Sequence, residues 1–90
     1  MRAKVYEYLV LLMNEGNELR PPYSQLVESG IYEIRIRQSS NIISILYFFY
    51  SGKRIILTNG FVKKTQKTPP EEIQLAKARR KRFLEREGKC

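Results

Sequence analysis

The sequence predicts an α+β domain in which a small antiparallel sheet of about three strands carries an N-terminal helix and a C-terminal helix. Three observations support this fold class: strict two-residue alternation from Tyr32 to Arg37, apolar residues at helical spacing from Arg2 to Glu15, and a helix-capping signal at Thr68. The 90 residues fit a single domain, and an apolar fraction of 42% is enough for a packed interior.

The first predicted element is an amphipathic helix from Arg2 to Glu15, because its apolar residues recur at spacings of three and four. Gly16 follows as a stop signal. Asn17 to Gly30 is expected to be loop, with room for one helical turn, since Pro21 and Pro22 lack the backbone donor that a helix or a central strand needs.

Three strands are expected next. The first strand runs from Tyr32 to Arg37. Its apolar residues Tyr32, Ile34 and Ile36 are expected to face the core, and its charged residues Glu33, Arg35 and Arg37 to form a basic solvent face. The second, Ile42 to Tyr50, is apolar on both faces and is therefore expected to be central. Ser51-Gly52 connects it to an antiparallel third strand, Lys53 to Thr58, after which Asn59-Gly60 bends or bulges the chain.

The last predicted element is a helix from Pro69 to about Glu87. Thr68 is the expected cap, Pro69 suits the first helical position, and Glu71 completes a capping box. The apolar stripe of this helix is narrow, so we expect it to dock lightly and to leave a densely basic face exposed. The stripe consists of Ile73, Ala76 and Phe83.

The composition excludes several kinds of chemistry. Histidine is absent, which rules out a Ser-His-Asp triad and His-ligated zinc, and the single Cys90 cannot form an internal disulfide or a cysteine metal cluster. There is no glycine-rich phosphate loop, so neither a cofactor nor a metal is expected. The longest apolar run, Ile45 to Tyr50, is too short to span a bilayer, and the N-terminus lacks the order of a signal peptide. A cytoplasmic protein without a membrane partner is expected.

The charge points to a polyanionic partner. The chain has 17 Lys and Arg against 9 Asp and Glu, and ten of these cations, with only four acids, lie from Gly60 to Cys90. A formal charge of +8 suits nucleic acid, an acidic membrane or an acidic protein, and charge alone does not choose among them. Lysines and arginines on exposed faces also serve solubility, so the argument depends on the cluster and not on any single cation.

The aromatic residues allow two interpretations. Aromatic rings in a strand usually fill the core of a sheet, and we expect this of Phe48 and Phe49. Tyr23 and Tyr50 are the candidates for surface contact with bases.

From Gly30 to Ile36 the chain resembles the RelE/ParE superfamily of bacterial toxins, in its phage-derived HigB-like branch. The segment from Ile45 to Phe49 looks like the central strand of that family, and Gly60 to Pro69, GFVKKTQKTP, is similar to its most recognisable segment. Glu72-Ile73 and Ala76 fit its closing helix, so the resemblance extends over most of the chain.

The resemblance implies a toxin of a type II toxin–antitoxin system that cleaves ribosome-bound messenger RNA without metal or histidine. In that mechanism the ribose 2′-hydroxyl attacks the adjacent phosphate while cations stabilise the growing charge. Arg35 and Arg37 resemble the paired basic residues of the family's strand, and Lys63 and Lys64 its basic residues after the last strand. Lys64 or Lys63 is the better proton acceptor because arginine hardly deprotonates. The cations expected to bind RNA elsewhere are Lys53, Arg54, Lys67, Arg79, Arg80 and Arg82.

The sequence departs from the family pattern in two ways. Ser44 stands where the family usually has an arginine before the Tyr-Phe-Phe segment, and the family's first strand and preceding helix are expected to be missing. An exposed sheet edge would then invite a partner strand or a homodimer.

Three functions are therefore open. The first is a cleaving toxin, neutralised by a helix-turn-helix (HigA-like) antitoxin encoded beside it. The second is a degenerate toxin that binds RNA or antitoxin but does not cut. The third is a plain basic module that binds nucleic acid.

Overall fold

The structure, a computed structural model, describes residues 2–15, 24–38, 40–50, 54–63 and 67–87. The element order is α1 (Arg2–Glu15), β1 (Ser24–Glu28), β2 (Ile31–Gln38), β3 (Asn41–Tyr50), β4 (Arg54–Lys63) and α2 (Pro70–Glu87). Within these ranges the strands form one antiparallel sheet of order β1-β2-β3-β4. The predicted α+β fold is confirmed, with four strands where about three were expected.

The additional strand, β1, lies in the segment predicted to be loop. Ser24 to Glu28 pairs with β2, and Ser29 and Gly30 form the connection with positive φ angles of 47° and 81°. Positive φ at both central residues is what a tight hairpin turn needs, and glycine supplies it without strain. The loop prediction was therefore wrong for residues 24–28, while residues 17–23 lie outside the described ranges.

Each face of the sheet carries one helix. On one face, Leu12 of α1 packs with Ile34 and Tyr47. On the other face, Ala76 of α2 packs with Ile31 and Leu46. A helix on both faces explains why the central strand β3 is apolar on both sides, as the sequence predicted.

Because α2 covers one face of the sheet, one prediction about β2 is wrong. Its charged residues share the face that α2 covers, and the nearest of them to the helix, Glu33, is 0% exposed. Arg35 is half-buried, and Arg37 is exposed. The basic solvent face expected for this strand is therefore reduced to its end.

The last strand and the closing helix each differ slightly from the prediction. Opposite β3, Leu46 pairs with Asn59 and Tyr47 pairs with Leu57, so Thr58 is the extra residue of a bulge and β4 continues to Lys63. The carbonyl of Pro69 accepts hydrogen bonds from the N–H groups of Glu72 and Ile73, 3.1 and 3.3 Å away.

The helix cap is therefore Pro69, with Pro70 at the first helical position. The expected cap, Thr68, donates its hydroxyl to Glu33 instead. No helix among the described residues has the length and the apolar character needed to cross a membrane.

Candidate nucleic-acid interface

The exposed end of β2 lies on the α2 face of the sheet, beyond the start of the helix. Ala76 packs on Ile31, and Thr68, just before the helix, contacts Glu33. Arg35 and Arg37 are the next residues of β2 on that face. In the sheet register Arg35 of β2 lies opposite Ser44 of β3. Arg37 lies opposite Ile42, which in turn lies opposite Lys63 of β4, so these three residues form one row across the sheet. Three of the four predicted catalytic residues thus come from neighbouring rows of one sheet face; Lys64 lies outside the described residues.

The centre of this cluster is a buried acid, Glu33. The Lys63 ammonium donates a hydrogen bond of 3.0 Å to Oε2 of Glu33, and the Thr68 hydroxyl donates one of 2.9 Å to Oε1. The same ammonium donates to the Thr68 hydroxyl at 3.3 Å. Nε of Arg35 lies 3.5 Å from Oε1 of Glu33. One carboxylate therefore connects β2, β4 and the segment that leads into α2.

The network keeps Glu33 ionised. Burial alone would raise the pKa of this carboxyl, but the nearby Ser44 hydroxyl, the hydrogen bonds from Lys63 and Thr68, and the Lys63 charge hold the pKa below the usual 4.5. Glu33 and Lys63 thus form a buried ion pair, with side chains that are 0% and 1% exposed. In this arrangement Lys63 is a donor to protein oxygens and does not reach the surface.

The cations that solvent can reach at this end are those around the buried pair. Arg37 at the end of β2 and Lys67 before α2 are exposed. The Arg35 side chain is 17% exposed. Ser44, which stands where the resemblance expects an arginine, is fully buried between Arg35 and Phe61 of the neighbouring strands. The accessible positive charge is therefore concentrated at Arg37 and its immediate neighbours.

A second basic cluster lies at the opposite end of α2. Arg79 and Arg82 line a groove of about 340 Å³ between the helix and strands β3 and β4, over Phe48 and Ile56. Arg79 also donates a 2.7 Å hydrogen bond to the carbonyl of Thr58.

Of the other predicted RNA contacts, Arg54 lies on the same sheet face as this groove, whereas Arg80 does not line it. Arg80 points elsewhere and donates to the carbonyl of Ser29. Arg54 stacks on the Tyr50 ring at 5.4 Å. Lys53 lies outside the described residues.

The expected core positions of Phe48 and Phe49 are confirmed, whereas contact of Tyr23 and Tyr50 with bases stays a prediction. Phe48 is buried and Phe49 is half-buried. Tyr50 is only half-buried, and its ring contacts that of Phe83 at a centroid distance of 5.1 Å. Tyr23 lies outside the described residues.

Sequence reasoning missed three functional candidates: Glu33, Thr68 as its partner, and Arg86, which joins the groove on α2. Arg86 follows Arg79 and Arg82 at helical spacing, so periodicity was a usable signal for it. For Glu33 the signal was a lone acid among basic residues on a strand face. Its partner Lys63 stands 30 residues away, and no local pattern shows that contact.

The described residues hold no group of three or more acidic or cysteine side chains that is able to bind a metal ion. Comparison with known proteins gives one family match. Residues 1–81 fit the family described as phage derived protein Gp49-like (DUF891). No curated protein matches the chain.

Proposed function

Since this chain belongs to the Gp49-like family of phage-derived proteins, within the RelE/ParE-like toxin family, we propose that it is the toxin of a type II toxin–antitoxin pair. Its activity in this proposal is the ribosome-dependent cleavage of messenger RNA, which stops translation, as in the HigB-like branch. The observation that supports it most is the position of Arg35 and Arg37 at the end of the sheet face that none of the described helices covers, where a phosphate of a single-stranded RNA can approach them.

The chemistry assigned to this end needs no group that the chain lacks. The ribose 2′-hydroxyl loses its proton and attacks the adjacent phosphate, the P–O5′ bond breaks, and the products are a 2′,3′-cyclic phosphate and a 5′-hydroxyl that takes a proton from solvent. The guanidinium groups stabilise the charge that develops on the phosphoryl oxygens. A proton acceptor needs a free lone pair. Lys63 donates to both Glu33 and Thr68, so Lys64 is the better choice for that role.

A second candidate function, a toxin relative that binds RNA or antitoxin without cutting, is favoured by a specific observation. Lys63 is sequestered with Glu33, and Ser44 places no charge at the middle of the cluster. Two positions that would stabilise a transition state therefore present no cation to RNA. Removal of one such donor typically costs about 100- to 1000-fold in rate.

The partners belong to the same proposal. A small helix-turn-helix protein encoded beside the toxin is the expected antitoxin, and the ribosome carries the substrate. A cytoplasmic location and a possible homodimer complete the proposal.

The test is induced expression in a bacterial host, with growth and the positions of messenger RNA ends as readouts. The cleaving toxin predicts growth arrest and new ends inside coding sequence, both suppressed by the antitoxin. Arg37→Ala is expected to reduce the new ends by about 100-fold. Lys81→Ala removes the same charge from an exposed position of α2 and serves as the matched control. Normal growth with folded protein and no new ends would reject cleavage and leave the binding-only relative.

A further inference from the structure

The buried carboxylate of Glu33 occupies the position of an anion at the centre of a basic cluster. It accepts from Lys63 and Thr68 and pairs with Arg35 at 3.5 Å. These are ammonium, hydroxyl and guanidinium groups, the same donors that bind a phosphate. The protein thus supplies its own anion where the proposed substrate would supply one.

We propose that Glu33 is an internal counter-ion that restrains RNA binding at this face, because it withholds Lys63 from the phosphates and leaves Arg37 and Lys67 as the exposed cations of the described residues at this end. The inference rests on the proposed function, since it concerns the same surface. It adds a residue of opposite charge that sets how many phosphates the face neutralises.

Removing the carboxylate charge of Glu33 changes the environment of Lys63. Glutamine in place of Glu33 keeps the shape but leaves the Lys63 ammonium buried without a counter-charge, which is strongly unfavourable. Lys63 is the last residue of β4, and its long apolar stem allows the ammonium to turn outward toward water or a phosphate. Glu33→Gln therefore gains a phosphate-binding cation at the surface.

The experiment measures binding of a short fluorescent single-stranded RNA by anisotropy over a series of salt concentrations. For Glu33→Gln we expect roughly 10- to 100-fold tighter binding, the worth of one charge-assisted contact. The plot of log K against log salt should steepen by about 0.7, the contribution of one more neutralised phosphate on single-stranded nucleic acid.

Glu28→Gln is the matched control because it removes the same charge from another ion pair. Glu28, at the end of β1 next to the hairpin turn, pairs with Lys77 of α2 at 2.6 Å. A general charge effect would strengthen both variants equally, whereas the proposal expects the steeper slope only for Glu33→Gln. Equal slopes for the two variants would overturn it.

Two further measurements keep the outcomes distinct. If Arg37→Ala weakens RNA binding but Glu33→Gln does not tighten it, the counter-ion inference fails and the proposed function stands. If the wild-type chain does not bind the free RNA, the counter-ion inference fails, and the proposed function is decided separately by growth and by the messenger RNA ends.

Acetylation of lysines in the wild-type protein, read by mass spectrometry, tests the inference even if Glu33→Gln does not fold. Lys63 should react far more slowly than the exposed Lys81, and RNA should not change its rate. A reactive Lys63 that RNA protects would overturn the inference.

Discussion

Replacing Lys63 by methionine is expected to destabilise the fold by about 3–5 kcal/mol, because it leaves a buried carboxylate without its main counter-charge. The Glu33 side chain is 0% exposed and its Oε2 lies 3.0 Å from the lysine Nζ. Thr68 still donates to Oε1 and Arg35 remains at 3.5 Å, so the lower end of this range applies.

A loss of about 3 kcal/mol is a large part of the roughly 5–15 kcal/mol that stabilises a typical domain. At this chain length it corresponds to a decrease in Tm of roughly 12–24 °C.

The double variant Glu33→Leu with Lys63→Met removes both charges and is expected to be more stable than Lys63→Met alone. An exposed ion pair supplies the control. Glu28 and Lys77 lie 2.6 Å apart, but their side chains are 42% and 36% exposed. Solvent screens this pair, so Glu28→Ala should cost only about 0–1 kcal/mol.

Urea unfolding followed by far-UV circular dichroism at neutral pH measures these free energies, and an unchanged m-value shows that the same surface unfolds in each variant. The reasoning is refuted if Lys63→Met costs less than about 1 kcal/mol. It is also refuted if the losses of the two single variants simply add in the double variant, since the pair would then not be coupled.

Three other predictions follow from the core and from Glu33. Leu12→Ala should cost about 2–5 kcal/mol in urea unfolding because it removes the buried contact of α1 with the sheet, whereas Met13→Ala, at an exposed position, should stay within about 0.5 kcal/mol. Tyr47→Phe should cost about 1–3 kcal/mol because the buried hydroxyl of Ser24 loses its hydrogen-bond partner. The lowered pKa of Glu33 means that its stabilisation is complete above the usual 4.5 and is lost as pH falls through the lower pKa of the folded chain. The free energy of unfolding, measured with urea, should therefore fall more steeply on acidification in the wild type than in Glu33→Gln.

The elements with strong local signals could be predicted from the sequence. The α1 bounds agree with the predicted helix, and the alternation from Tyr32 to Arg37 located β2. β1 was missed because it has only five residues and follows a proline pair. Its partner strand and the Ser29-Gly30 turn make it a strand, and pairing of this kind is context that propensity does not contain.

The candidate site could be predicted only in part, because alternation says which residues share a face and not what covers that face. The pattern correctly grouped Glu33, Arg35 and Arg37, but it assigned all of them to solvent. Burial of Glu33 depends on Thr68 and Lys63, which are 35 and 30 residues away along the chain. The Lys63 contact arises when β4 pairs in the sheet, and the Thr68 contact when the segment before α2 packs on it, and a local sequence pattern shows neither.

The placement of the two helices also limits where RNA can bind. One helix lies on each face of the sheet, and α2 covers its face from Glu33 to the aromatic contacts with Phe83. A flat nucleic-acid platform across the whole sheet, as the basic composition alone suggests, is therefore blocked. The uncovered end carries Arg37 at the surface and an acid–lysine pair beneath it. Under the proposed function, affinity for RNA at this end depends on whether Glu33 or a phosphate holds Lys63, so that an acidic residue would matter as much for RNA binding as the arginines around it.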